Sequence, residues 1–357
     1  MNVLLYRPNV DLRSGTGQLM QMQAAGLRAG GVRVRVGCTR GGIGFFLRTG
    51  IGTRYLSVAG AGRYARKPGW LVVDNSMLVP DAQVVFVHNL VTEANELLQD
   101  EELLPHVADE ARFFAALRED ALLVANSRLV AAALGRRFAL PAERIVVHHP
   151  GIRSARFAPE RRQQLRGQAR RRLGIPDDAP VAGFITSGDL YKRGLDLFVD
   201  CARRLLEERP ALHFLVVGSK RWPAHLGGSD LLAAGRLHHV PKNLHPELWM
   251  SALDLFLYPA RFEEFGMVVL EAMALGIPVV TSRRVGAAEC LPPAYDGLLC
   301  PGPDPVALAE TASRVLADPM LAARLAADGS SAARDCSDER YARETAETIL
   351  ACPPAGR

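Results

Sequence analysis

Two carboxylates, Glu263 and Glu271, stand with seven residues between them in the segment RFEEFGMVVLEAMALGIPVVTSRRVGAAE, residues 261–289. The apolar run LFLYP (255–259) ahead of it reads as a strand, the acidic stretch as a loop, and the helix is entered at Gly266. A glycine at a helix start lets a ligand approach the unsatisfied N–H groups of Gly266, Met267 and Val268, a setting that suits a phosphate or diphosphate. Glu263 falls in the loop and Glu271 on the second helical turn, so both can accept hydrogen bonds from sugar hydroxyls of one ligand. A structural alternative stands beside this: Glu263 and Glu264 complement the helix dipole, and Glu271 lies on the surface. Against it, Glu271 sits among Val268, Leu270, Ala272, Met273 and Leu275, and a charge in so apolar a helix needs a partner.

The elements that must position these groups alternate along the chain. VLLY (3–6) is followed by a turn-rich loop with Pro8, Ser14, Gly15 and Gly17, a helix from Thr16 to Ala29, and VRVRV. Apolar runs at 71–73, 84–87, 122–125 and 145–147 follow, and the alternation restarts with runs at 181–185, 213–217, 237–240, 255–259 and 278–282, with helices between. Three helical segments, around 304–317, 319–334 and 338–350, finish the chain. Strands alternating with helices imply mostly parallel sheets covered on both faces, here two Rossmann-like units with a ligand cleft at the carboxyl ends of the strands. The expected division is 1–173, 174–335, and a last segment 336–357 crossing back to the first domain, with the boundary at the end of the basic stretch RFAPERRQQLRGQARRRLGIPDDAP. His88 closes the strand VVFV on the ligand side and is a candidate active-site group, with a structural histidine as the alternative. Asn126-Ser127 reads as a helix N-cap. Glu93, Asn95 and Glu96, near His88 in sequence, could meet an acceptor.

The 357 residues carry a net charge of +5, unevenly placed. Residues 1–175 hold 25 Lys+Arg against 14 Asp+Glu, and within 1–73 the count is eleven to one. Such a first half suits an anionic partner, with solvated arginines as the bland reading. In 41–70, Phe45, Phe46, Leu47, Ile51, Tyr55, Tyr64 and Trp70 are interleaved with arginines, as at an anionic membrane surface; a glycine-rich hairpin or loop packed on the core is the alternative. Six cysteines without a C-x-x-C pair suggest neither a zinc site nor a disulfide framework. No apolar run reaches membrane-span length, and MNVLLYRPNV lacks a signal peptide's features, so the expected location is cytoplasmic; the basic face of 41–70 leaves open peripheral attachment to the inner face of the membrane. Low aromatic content and the acidic second half argue against nucleic acid.

Glu263-Glu264-Phe265-Gly266, the four residues to Glu271, and then Ala274-Leu275-Gly276-Ile277-Pro278-Val279-Val280 resemble the hallmark of retaining nucleotide-sugar glycosyltransferases of the GT-B fold and the large family 4 type. That class includes bacterial lipopolysaccharide-core glucosyltransferases, phosphatidylinositol mannosyltransferases and sucrose synthases. SGDLYKRGLDLFVDCA (187–202) is similar to the family's glycine-rich loop, with Asp189 after Gly188 where many relatives have Arg. Val285-Gly286-Ala287-Ala288-Glu289 looks like its Gly-Gly-x-x-Glu turn, whose amides lie near the donor. Ser14-Gly15-Thr16-Gly17 resembles its first glycine loop, and His149-Pro150-Gly151-Ile152 the junction before its linker.

The resemblance implies the following roles. Lys192 and Arg193 neutralise the donor diphosphate and, with Glu263 and His88, form the catalytic group. Gly15, Thr16, Gly17, Gly188, Gly218, Val240, Phe265, Gly266, Met267, Val268 and Glu271 bind the donor, Glu271 through the ribose. The reaction is front-face substitution with retention, independent of metal and without a cofactor beyond the nucleotide-sugar co-substrate. The acceptor is a saccharide or a lipid-linked saccharide of bacterial envelope glycan assembly. A soluble natural-product acceptor and a non-catalytic nucleotide-sugar binder of the same fold are the alternatives.

Overall fold

The computed structural model describes every residue except Arg13, Leu244 and Arg357. Two compact units divide the chain, residues 1–151 with 338–357, and residues 152–337.

The first unit runs β1 (Asn2–Tyr6), α1 (Gly15–Ala29), β2 (Arg33–Cys38), α2 (Gly42–Thr49), β3 (Thr53–Tyr55), α3 (Val58–Ala65), β4 (Trp70–Asp74), β5 (Val84–Val87), α4 (Val91–Leu98), α5 (Leu104–Ala116), β6 (Leu122–Ala125), α6 (Arg128–Phe138) and β7 (Ile145–Val147). Its strands form one parallel sheet in the order β3-β2-β1-β4-β5-β6-β7. The strand order reverses between β1 and β4, and such a reversal opens a crevice at the carboxyl ends of those strands.

The second unit runs α7 (Pro159–Leu173), β8 (Val181–Ile185), α8 (Leu195–Glu208), β9 (His213–Gly218), α9 (Ser229–Ala233), β10 (Leu237–Pro241), α10 (Pro246–Met250), β11 (Leu255–Tyr258), α11 (Met267–Ala274), β12 (Val279–Thr281), α12 (Pro305–Ala317) and α13 (Pro319–Arg334). Its parallel sheet has the order β10-β9-β8-β11-β12, with the reversal between β8 and β11. β8 and β11 are wholly buried, as expected of strands covered by helices on both faces.

The final helix, α14 (Asp338–Ala351), belongs to the first unit and packs along α1. A Cβ at Gly26 of α1 would lie 2.0 Å from the Ala342 carbonyl oxygen, so this crossing requires a glycine.

The division falls at 151/152 and not at 173/174. The basic stretch expected to close the first domain is α7, and its arginines are consumed within the second unit. Arg162 donates to the carbonyls of Gly276 and Leu253 at 2.9 and 2.6 Å, while Arg166 and Arg170 reach Asp254 at 2.6 and 2.8 Å. Three cations four residues apart on one helix face thereby satisfy a carboxylate and the chain ends around it. Counted by unit, the sequence holds 20 Lys+Arg against 17 Asp+Glu in the first and 23 against 21 in the second, so the large asymmetry disappears.

The segment 41–70 is a helix, a strand and a helix rather than a hairpin or loop. Phe45, Ile51 and Trp70 are buried, whereas Ile43, Leu47 and Tyr55 are 78%, 76% and 81% exposed. Among the described residues no helix is long and apolar enough to cross a membrane.

Candidate active site

At the reversal in the second sheet, the loops after β8 and β11 meet. The first carries Lys192 and Arg193, the second Glu263 and Glu264. Lys192 Nζ lies 2.7 Å from Glu264 Oε1, and Arg193 Nε lies 2.8 Å from Glu263 Oε2. Arg193 Nη1 also donates to the Phe262 carbonyl at 2.7 Å, and the Tyr258 hydroxyl donates to Glu263 Oε2 at 2.7 Å. Burial alone would lower the Arg193 pKa, but Glu263 and its acidic neighbours hold it above the ordinary value. Burial pushes the Glu263 carboxyl up against the opposing pull of Arg193. Two cations and two carboxylates are thus held in one buried cluster, where each charge offsets the desolvation of another.

Gly266 follows directly and caps α11 with φ +93°. A Cβ there would lie 2.9 Å from Glu263 Cγ and 3.2 Å from Val285 Cγ1, so the residue must be glycine for two reasons, conformation and space. Phe265 is buried, and Met267 and Val268 open the helix, presenting first-turn N–H groups that have no acceptor within it.

Glu271 is half-buried on the second turn of α11. Its carboxylate makes no ion pair or side-chain hydrogen bond with the described residues. Arg156, the cation that acts on it most, instead holds Glu247 at 2.6 Å. Burial, with Glu247 adding to it and Arg156 opposing it, pushes the Glu271 pKa up to about 8. An acceptor group left without a donor, on a helix whose first-turn N–H groups can receive an anion, suits a ligand that brings both hydroxyls and phosphate.

The remaining donor candidates of this unit occupy the strand ends. The Gly188 amide donates to Thr186 Oγ1 at 3.1 Å, and an added Cβ would lie 3.3 Å from Arg193 Nε. Gly218 ends β9 and Val240 lies near the end of β10, paired in register with Val217. The turn 285–289 lies against the acidic loop: Gly286 N donates to Glu263 O at 3.0 Å and Ala287 N to Phe265 O at 2.6 Å, so these two amides staple that loop.

In the first unit, α1 begins at Gly15, one residue before the expected start at Thr16, so Gly15, Thr16 and Gly17 all lie within its first turn, and the Gly17 amide is already taken by Ser14 Oγ at 3.1 Å. His88 follows β5 and its Nε2 lies 3.1 Å from Asn75 Oδ1. Burial, then the nearby Arg7, lowers its pKa to about 3. Ser127 is the N-cap of α6, accepting from Val130 N. The proposed acceptor contacts near His88 are internal: Glu93 binds Arg136 and Arg137 at 2.8 and 2.5 Å, Glu96 pairs with Arg137, and Asn95 Oδ1 accepts from Asp100 N. Sequence reasoning overlooked Tyr258, Asn75 and Arg7. Each ends or immediately follows a strand at a sheet reversal, the one signal that could have found them.

Residues 179–318 match the family model described as Glycosyl transferases group 1, which lies entirely in the second unit. The chain is 32% identical over 246 residues to a D-inositol 3-phosphate glycosyltransferase of Streptomyces bingchenggensis, covering 64% of this chain and 51% of that protein. To the protein of the same name from Streptomyces scabiei it is 27% identical over 300 residues, covering 79% and 65%. The chain thus spans about half to two thirds of the length of these relatives. Among solved structures it resembles WaaG, a glycosyltransferase involved in lipopolysaccharide biosynthesis, with a TM-score of 0.80 at 20% identity over 98% of this chain and 100% of that one. Anabaena Alr3699/HepE in complex with UDP and glucose gives 0.77 at 19%, over 98% and 99%. These likenesses establish the fold as GT-B.

Proposed function

We propose that this GT-B chain, whose residues 179–318 match the model of group 1 glycosyl transferases, is an enzyme that moves a sugar from a nucleotide diphosphate sugar to an acceptor hydroxyl with retention of anomeric configuration. The observation that carries this reading is the unpartnered Glu271 on the helix whose glycine-capped start adjoins the Lys192–Arg193–Glu263–Glu264 cluster. The start of α11 with Lys192 and Arg193 receives the diphosphate, Glu271 the ribose hydroxyls, and Glu263 the sugar ring. In the reaction the bond from the anomeric carbon to the diphosphate oxygen breaks and the bond to the acceptor oxygen forms on the same face. The acceptor's proton passes to the departing phosphate. Lys192 and Arg193 stabilise the charge that develops on the leaving group, the role a divalent metal would otherwise fill, and turnover is expected to survive chelation.

Relatives named for inositol phosphate and for lipopolysaccharide biosynthesis support an acceptor from envelope or cell-surface glycan chemistry. The exposed Ile43, Phe46, Leu47 and Tyr55 beside Arg48 and Arg54 support attachment to an anionic membrane surface from the cytoplasmic side.

Release of nucleotide diphosphate from UDP-, GDP- and ADP-sugars, followed with and without candidate acceptors, tests the activity. Acceptor-dependent release that falls about 10²–10³-fold in kcat for Lys192→Ala is expected. Tight nucleotide binding with no acceptor-dependent release would make the chain a binder and not a transferase.

A further inference from the structure

Two sulfurs of the second unit lie in contact although their residues are 46 positions apart: Cys336 Sγ donates to Cys290 Sγ at 3.8 Å. Cys290 is the last residue of a short helical turn, Gly286–Cys290, and Cys336 lies in the turn just beyond α13. Neither is fixed in a strand or in the body of a long helix. A disulfide bond of about 2.05 Å asks the sulfurs to close by less than about 2 Å, a movement that two turn residues can supply.

The other four thiols differ in their chemistry. Cys201 Sγ donates to the Pro305 carbonyl at 3.3 Å and Cys352 Sγ to that of Thr348 at 3.5 Å, while Cys300 Sγ lies 3.7 Å from Thr311 Oγ1. Burial raises the pKa of these three and of Cys38, which suppresses the thiolate that reacts. Access also divides the contacting pair. Cys290 is half-buried, whereas Cys336 is only 5% exposed, so a reagent from solution meets Cys290 first.

The place of the pair gives a bond between them a structural consequence. Gly286 and Ala287, in the same turn as Cys290, hold the carbonyls of Glu263 and Phe265 through their amides. The Cys336 carbonyl accepts from the Ile152 amide at 2.9 Å, where the second unit begins. Joining the two sulfurs ties the turn behind the acidic loop to the segment that closes the unit, and a cross-link spanning so long a stretch of chain restricts the unfolded state most.

We propose that Cys290 and Cys336 are a modification site for a low-molecular-weight disulfide, which oxidises them to an intramolecular disulfide. The Cys290 thiol gives its proton to water, and its thiolate attacks one sulfur of the reagent. The reagent's S–S bond breaks, a mixed disulfide forms on Cys290, and one small thiolate leaves. Cys336, likewise deprotonated, attacks the Cys290 sulfur and expels the second small thiolate. The two small thiolates take up the two protons, so the protein has lost two electrons and the reagent has gained them. This site goes beyond the transferase reading and does not depend on it.

Reduced full-length protein, cleared of reductant, is incubated with oxidised glutathione and followed by mass spectrometry. The wild type should lose two hydrogens, carry no glutathione, and yield a Cys290–Cys336 cross-linked peptide that dithiothreitol cleaves. Cys336→Ser and Cys336→Ala should both stop at one glutathione on Cys290. Cys290→Ser should react several-fold more slowly and form no intramolecular bond. The urea transition of each reduced variant reports its fold, and the oxidised wild type should unfold at higher urea than the reduced form. A lasting glutathione adduct on wild-type Cys290, a cross-link through Cys38, Cys201, Cys300 or Cys352, or no reaction of the folded wild type would overturn the site. An oxidised form no more resistant to urea than the reduced one would overturn the anchoring of the turn.

Discussion

Arg193 Nε lies 2.8 Å from Glu263 Oε2, with the two side chains only 13% and 12% exposed, so the cation expected to meet the donor diphosphate is already paired across two loops 70 positions apart. The pair performs two tasks. It holds the acidic loop against the β8 loop, and it keeps a positive charge at the proposed phosphate position without leaving that charge bare in a buried site.

Removing one partner should therefore leave a buried charge uncompensated, a cost that removing both avoids. Arg193→Met strands the buried Glu263 and is expected to destabilise the protein by about 3–5 kcal/mol, while Arg193→Met with Glu263→Gln costs clearly less than the two single changes together. Urea denaturation of the four proteins measures the coupling. Additive single effects would show that the pair is not coupled and that Arg193 serves the ligand alone.

Glu271 gives a pH dependence with a definite sign. Its folded pKa, about 8, lies above its ordinary 4.5, so the folded state holds a proton that the unfolded state has released. Stability should consequently fall as pH rises from about 4.5 to about 8. Glu271→Gln removes this slope and leaves the variant the more stable protein at pH 8 by at least about 1.4 kcal/mol, the worth of one pKa unit. The same variant should lose nucleotide diphosphate affinity. Binding to the wild type near pH 7 should release a proton, which calorimetry in buffers of different ionisation enthalpy detects. Denaturation curves of wild type and variant that run parallel across this pH range would remove the basis for the claim.

The exposed residues of α2 and the end of β3 make a separate prediction. With Ile43, Leu47 and Tyr55 each more than three quarters exposed beside arginines, flotation with phosphatidylglycerol vesicles should exceed that with neutral vesicles. Ile43→Ser with Leu47→Ser should reduce it several-fold without changing stability, because neither side chain is packed. Equal flotation on both vesicle types would argue for a soluble acceptor.

Local sequence determined most of what this protein is. Apolar runs of strand length, alternating with 3.6-residue periodicity, specify two parallel sheets, because strand and helix periods are properties of short segments. The Glu263–Glu271 spacing around Gly266 located the candidate donor site for the same reason: its loop, cap and helix are consecutive in the chain. Only the tertiary structure decided which charges meet. Lys192 and Arg193 find Glu264 and Glu263 by strand order, and Glu93 is claimed by Arg136 and Arg137. Gln23, Asn75 and His88 form one network although they come from three separate segments. The charge excess of the first half was the largest feature visible in the sequence and the one most altered by folding. Much of it was α7, whose arginines serve Asp254 in the other unit, and what survives is the basic stretch before residue 73. Charge pairing is a long-range property, set by which strand ends a sheet brings together, and a linear count cannot contain it.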